Sequence, residues 1–297
     1  MAVAATGFFD GVHLGHRFVI ETLVRTARER GEESLVVTFW PHPRNVLQND
    51  ARNLRLLSSL DEKKEMLKAL GVDRVEVIRF TKEFSALSTE QYLRDVVRDR
   101  LGATAVLLGY DNRMGRNSGG PDEIQKVAEG LGLDVIRTDR IDAGAGVTIS
   151  STAVRRCISA GDVKGAAGML GYDYSLFGVV VEGNRLGRTI GFPTANMRLY
   201  EPLKLLPGSG AYFVCVETLG KSFYGMCNVG SRPTVNPGSD INVETNIFDF
   251  EEDIYGLDIR VTFIAKIRDE VRFHGVEELR AQLEKDRAAA MAMAASL

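Results

Sequence analysis

A chain of 297 residues has the length for two ordinary domains, each with its own core. A hydrophobic share of 44%, a charged share of 26% and a net charge of −3 describe a soluble globular protein and exclude any electrostatic case for a nucleic-acid or membrane partner. No apolar run reaches spanning length, no basic start and long apolar core mark a secretory leader, and Cys157, Cys215 and Cys227 have no metal or disulfide spacing; a cytoplasmic protein is expected.

In chain order, Ala2-Val3-Ala4-Ala5-Thr6 reads as a small-residue strand for the middle of a sheet. Phe18, Val19, Ile20, Leu23, Val24 and Ala27 recur at helical spacing, so a helix starts near His16. Between them, Gly7-Phe8-Phe9-Asp10-Gly11-Val12-His13-Leu14-Gly15-His16 is a strand-to-helix turn, the place where an open α/β sheet takes its ligand. Its glycines let backbone approach a ligand, the helix start offers N–H groups to an anion, and His13 and His16 can donate to phosphate. On residue types alone phosphate binding, a zinc half-site and plain surface histidines all stand, although no cysteine or carboxylate pair nearby completes a zinc site. Asp10 reads as a residue that orients the turn.

Strands at Ser34–Phe39, Arg74–Phe80, Ala103–Leu108 and Asp134–Ile136 then alternate with helices at Asp61–Leu70, Ser88–Arg100 and Pro121–Leu131. That order predicts a mostly parallel sheet covered on both faces, with the loops after the strands along one edge. Two of those loops are Trp40-Pro41-His42-Pro43-Arg44, expected to be held extended by its prolines, and Gly109–Arg116, which includes Asp111. Further on, Ser151 and Thr152 open a helix that carries Arg155 one turn later, and taken alone this reads as a capped helix start.

From Tyr174 the pattern changes to strands without helices between them: Ser175–Glu182, Ala211–Glu217, Ser222–Val229, Ile241–Phe250 and Ile259–Ile267, followed by a helix over Val276–Met293. A small closed antiparallel barrel with a terminal helix is expected, with the boundary near Gly171, giving domains 1–171 and 172–297. The stretch Gly183–Asn196 places Gly183, Gly187, Arg188 and Gly191 where backbone and charge meet phosphates. In it Thr194 offers a hydroxyl to a metal ion, and Asn196 an amide to the same corner. A glycine-rich hairpin alone has the same appearance. Asp249, five residues after Glu244, is expected on the opposite face of one strand.

The first motif resembles the signature of nucleotidyltransferases that transfer adenylyl from ATP, and its Phe-Asp-Gly version resembles the FAD synthetase branch. Ile149-Ser150-Ser151-Thr152-Ala153-Val154-Arg155 resembles the element that closes over ATP phosphates in that family. The strings ending Pro193-Thr194-Ala195-Asn196, Gly225–Thr234 and Val243–Phe250 resemble riboflavin kinase. The sequence departs from these patterns at Trp40, at Asn112 and Met114 where aromatics are usual, and at Asn246 where histidine is usual. The resemblance implies a Rossmann-like nucleotidyltransferase domain followed by the kinase barrel. It implies ATP, riboflavin and FMN as substrates, FAD as product, and Mg²⁺ as cofactor. By position it implies Glu244 as kinase base, His13 and His16 as catalytic donors in adenylylation, and Gly7, Phe8, Phe9, Asp10, Gly11, Asp111, Ser151, Thr152 and Arg155 around the nucleotide. A transferase for another small phosphate ester, and a flavin-binding or regulatory relative with one activity lost, are the alternatives.

Overall fold

The computed structural model describes residues 1–47, 54–109, 114–116, 120–138, 149–183, 186–231 and 241–297. Its chain forms two compact units, Met1–Ser151 and Thr152–Leu297.

The first unit runs β1 (Ala2–Thr6), α1 (Leu14–Arg30), β2 (Glu33–Trp40), α2 (Pro43–Leu47), α3 (Leu60–Ala69) and β3 (Arg74–Arg79). It continues with α4 (Lys82–Ser85), α5 (Thr89–Gln91, widening into Tyr92–Arg100), β4 (Ala103–Leu108), α6 (Pro121–Gly130) and β5 (Asp134–Arg137). The strands make one parallel sheet in the order β3-β2-β1-β4-β5. Period-two alternation divides β1 between two cores. Val3 and Ala5 pack with Leu23 and Val24 of α1 and Leu67 of α3, while Ala2 and Ala4 pack with Leu93 and Val97 of α5 and Ile124 of α6. Because β2 and β4 flank β1 on opposite sides, the strand order reverses at β1, and the end of β1 at Thr6 is the switch point where an open sheet of this kind takes its ligand. The expected Rossmann-like sheet is present.

Local chemistry sets the helix ends. Ser59 with Glu62, and Ser88 with Gln91, form reciprocal capping boxes, and Gly31 closes α1 in the left-handed region. The loop after β2 differs from expectation: Pro43 opens the short helix α2 instead of extending the chain, since proline at a first helical position loses no hydrogen bond.

The second unit contains α7 (Ser151–Ser159, whose first residue belongs to the first unit), α8 (Val163–Leu170), β6 (Ser175–Val181), α9 (Leu186–Thr189) and β7 (Ala195–Leu199). β8 (Gly210–Thr218), β9 (Lys221–Ser231), β10 (Ile241–Ile247), β11 (Asp258–Arg268) and α10 (Val276–Ala294) complete it. Six strands close an antiparallel barrel in the order β10-β7-β6-β11-β8-β9. One more strand closes it than the sequence pattern suggests, because Ala195–Leu199 is short and bears Asn196 and Arg198. β10 stops at Ile247, three residues earlier than expected, and Asp249 turns into the left-handed region at φ 52°. Asp249 therefore shares no strand with Glu244, and the opposite-face expectation lapses.

Helix α10 lies on the outside of the barrel. Its Ala290, Leu279 and Leu283 cover Phe213, Met226 and Phe248. Its Asp286, 2% exposed, accepts a two-pronged bond from Arg268 of β11, with Nε and a terminal nitrogen at 3.0 and 2.8 Å. Among the described residues no helix is long and apolar enough to cross a membrane.

Candidate active sites

The turn from β1 into α1 is held in an unusual backbone shape. Phe9 and Val12 both take positive φ, 53° and 37°, and both side chains are buried in the core against α1. The Phe9 ring folds back over Gly7, where an added Cβ would stand 2.8 Å from it. Asp10 is buried at 3% exposure and accepts from the backbone N–H groups of Leu57 and Ser58, each at 3.1 Å, and from the Ser58 hydroxyl at 3.3 Å. The same hydroxyl accepts from the Gly11 N–H at 3.0 Å. Asp10 thus clamps the turn to the segment before α3, which accounts for it without a ligand.

The two histidines meet at the start of α1. His13 is the N-cap, and its Nδ1 accepts from the His16 N–H at 3.3 Å, which leaves the neutral ring's proton on Nε2. The rings stack at 3.6 Å between centroids, 15° from parallel. Burial, with the nearby charges of His13 and Lys63, holds His16 well below its usual 6.5, and its Nδ1 is buried without a hydrogen-bond partner. His16, held neutral and stacked on His13 at a helix N-terminus, is set to gain charge when an anion arrives.

Ser151 also reaches this turn, its hydroxyl donating to the Asp10 carbonyl at 3.1 Å. Thr152 is exposed and Arg155 half-buried on α7, in the second unit. Asp111 lies outside the described residues. Met114 packs into the core with Leu93 and Ile124, and its carbonyl accepts from the Thr89 hydroxyl at 2.9 Å. Phe8 meets the His42 ring at 4.0 Å. Beneath it lies Lys63, fully buried, a residue with no motif signal because lysine on an amphipathic helix reads as solvent face.

In the barrel, a cavity of about 370 Å³ opens beside the glycine-rich stretch, lined by Gly183, Arg188, Thr194, Asn196, Thr245 and Ile254 among others. At Gly183 an added Cβ would stand 2.3 Å from the Asn196 amide, which would have to shift. Gly187 and Gly191 lie on the same connection, Gly191 at φ 84°. Register then builds the second cluster. Val243, Thr245 and Ile247 turn inward, so Glu244 faces outward between its pairing partners Asn196 on β7 and Asn228 on β9. The Asn242 amide donates both to the Glu244 carboxylate and to Asn196 Oδ1, the latter at 3.3 Å. Asn196 thereby joins the cavity to Glu244. Asn246 is buried and donates to the Pro193 carbonyl at 2.7 Å, pinning the glycine-rich connection to β10.

A stacked histidine pair at a helix start in one unit, and in the other a glycine-rich cavity lined by Arg188 and by Glu251, Glu252 and Asp253 next to Glu244, fit a nucleotide-using transferase with two separate centres. The family profile described as FAD synthetase matches residues 1–153, and that described as riboflavin kinase matches residues 170–294. The chain belongs to the bifunctional riboflavin kinase/FMN adenylyltransferase family. It is 40% identical to the protein of that name from Listeria monocytogenes, over 96% of this chain and 90% of the relative. It is 38% identical to the one from Escherichia coli with the same two coverages. A crystal structure described as a macrolide-efflux protein from Streptococcus pneumoniae superposes with a TM-score of 0.90 at 30% identity, covering 98% of this chain and 93% of that one.

Proposed function

We infer that the chain makes FAD in two steps, phosphorylating riboflavin to FMN in the barrel and adenylylating FMN in the α/β unit. The observation that carries this reading is the tandem match to both families along a chain whose similarity to bifunctional relatives runs nearly end to end. The same reading, with three free cysteines, favours work in the reducing cytoplasm.

In the first step the primary ribityl hydroxyl of riboflavin attacks the γ-phosphorus of ATP. The new O–P bond forms as the bond to the β-bridging oxygen breaks, ADP leaves, and the Glu244 carboxylate takes the hydroxyl proton. Asn242 orients that carboxylate. Gly183, Gly187, Arg188 and Gly191 surround the nucleotide phosphates. Among the described residues no cluster of three His, Cys, Asp or Glu forms a metal cage. A hydroxyl and an amide oxygen, from Thr194 and Asn196, fit a hard cation such as Mg²⁺ that keeps most of its shell as water and phosphate. Bound there, Mg²⁺ would neutralise charge on the transferring group.

In the second step an FMN phosphate oxygen, already ionised, attacks the α-phosphorus of another ATP and pyrophosphate leaves. No base is needed; the work is positioning and charge stabilisation. His13 and His16 donate at the reacting phosphate, with Gly7, Phe8, Asp10 and Gly11 shaping the turn around it. Ser151, Thr152 and Arg155 serve the leaving pyrophosphate. Incubation with riboflavin, ATP and Mg²⁺ followed by chromatography should give FMN and then FAD. Accumulation of FMN alone would leave the relative with one lost activity as the better reading.

A further inference from the structure

Lys63 sits on α3, which supplies none of the residues assigned to either step, yet its side chain is 0% exposed. Its amine donates to the Phe8 carbonyl at 2.8 Å and to the Thr38 hydroxyl at 3.3 Å, and that hydroxyl donates to the same carbonyl at 3.2 Å. It also stands 3.7 Å from the centre of the Phe8 ring. A lysine that only packs runs its stem along the surface and leaves its amine in water. Here the charge itself is inside, against the cost of desolvating it. The amine's hydrogen bonds go to the Thr38 hydroxyl and to the carbonyl of the peptide that leads into the left-handed Phe9.

We propose that Lys63 is a positioning residue for adenylyl transfer: its ammonium fixes the Phe8 carbonyl and sets a positive charge behind the histidine turn, where the ATP phosphates bind. The proposal rests on the reading of that turn as the adenylyltransferase site. The ionisable groups around the amine are the Asp10 carboxylate, which favours the charged form, and His16 on α1, which feels the lysine's charge. His13 is stacked on His16, and His42 lies against Phe8. Burial pulls the Lys63 ammonium down to about 8, so it is charged below that pH and neutral above it. A triphosphate favours the charged form, so ATP should be bound less well as pH rises through that value.

The test measures FAD formation from FMN and ATP by the full chain from roughly pH 6.5 to 9.5, with FMN formation from riboflavin followed on the same samples. For the wild type, kcat/KM for ATP should drop through a step near pH 8, carried mainly by KM. Lys63→Met should lower it about tenfold at neutral pH and abolish the step, with riboflavin phosphorylation unchanged. Should Lys63→Met fail to fold, Thr38→Val keeps the amine and the shape but removes one acceptor, and should move the step to lower pH. A step that survives Lys63→Met, or an unchanged kcat/KM in that variant, overturns the proposal. So does a Thr38→Val profile identical to wild type when Lys63→Met does not fold. Wild-type protein that makes no FAD at any pH overturns the reading of the turn instead.

Discussion

Glu244 and Asp249 are acids five residues apart with different surroundings. Glu244 is half-buried, oriented by Asn242 and paired across the strands with Asn196 and Asn228. Asp249 is 79% exposed and pairs with Arg287 at the surface, a contact worth about 1 kcal/mol or less. Glu244→Gln keeps the shape but cannot accept the ribityl proton, so kinase kcat should fall about 10²–10⁴-fold with the KM for riboflavin much less changed. Asp249→Asn should be mild in the same assay. A Glu244→Gln loss confined to KM would make the residue a binder and not a base. In the other unit, His16→Ala removes a buried, unpartnered ring nitrogen from the helix start. FAD formation should fall at least about tenfold, roughly 1.4 kcal/mol of transition-state stabilisation, while FMN formation stays. Equal loss of both rates would show His16 to be a general support. These residues were legible because motifs carry them. Lys63 and Asn242 were not, because each acquires its role only from partners on other segments or from strand register, and neither leaves a local pattern.

At the scale of elements, α10 is held by one buried ion pair as well as by its apolar face. Asp286→Ala would strand the Arg268 guanidinium, 18% exposed, without its two-pronged partner. A loss of about 3–5 kcal/mol is expected, appearing as faster hydrogen exchange along α10. Kinase activity should fall with it, because α10 covers Phe213 and Met226 on the same outer face as Glu244. FAD formation from added FMN should persist. Unaltered exchange in α10 would mean its apolar face alone anchors it. An element with a strong local signal matched expectation to the residue: β4, Ala103–Leu108, is a run of Ala, Val and Leu buried at every position but Thr104. β7 escaped because it is short and carries Asn196, which lines the cavity, and the exposed Arg198 in place of a clean alternation. The short helices α4 and α9 span one turn each, too little for any periodicity to show.

At the scale of the whole chain, the two matched families meet between residues 153 and 170, while the compact units divide at Ser151. The span between is α7 and α8. Within the second unit they pack on the barrel: the Gly208 N–H donates to the Ile158 carbonyl at 2.9 Å, and a Cβ at Gly208 would stand 2.5 Å from the Ser159 carbonyl. We propose that the catalytic division nevertheless falls near Gly171. A fragment 1–171 should turn FMN into FAD, and one from Tyr172 onward should turn riboflavin into FMN. A fragment 152–297 should make FMN too, with a higher melting temperature than 172–297 because it keeps the cover of α7 and α8. Failure of both 1–171 and 172–297 to fold by circular dichroism would remove that boundary.

The closure of the barrel has a kinetic side. Strands β9 and β10 match at seven described pairs, whereas β10 and β7 match at two, Glu244 with Asn196 and Thr245 with Ala195. Among the described residues this seam is therefore the shortest of the ring, and it runs through Glu244 and Asn196, the carboxylate and amide proposed for phosphoryl transfer. Short ladders open locally at small free-energy cost. If Glu244 and Asn196 serve phosphoryl transfer as proposed, a nucleotide held beside them should tie this seam shut, seen as slower hydrogen exchange in β7 and β10 on addition of ATP.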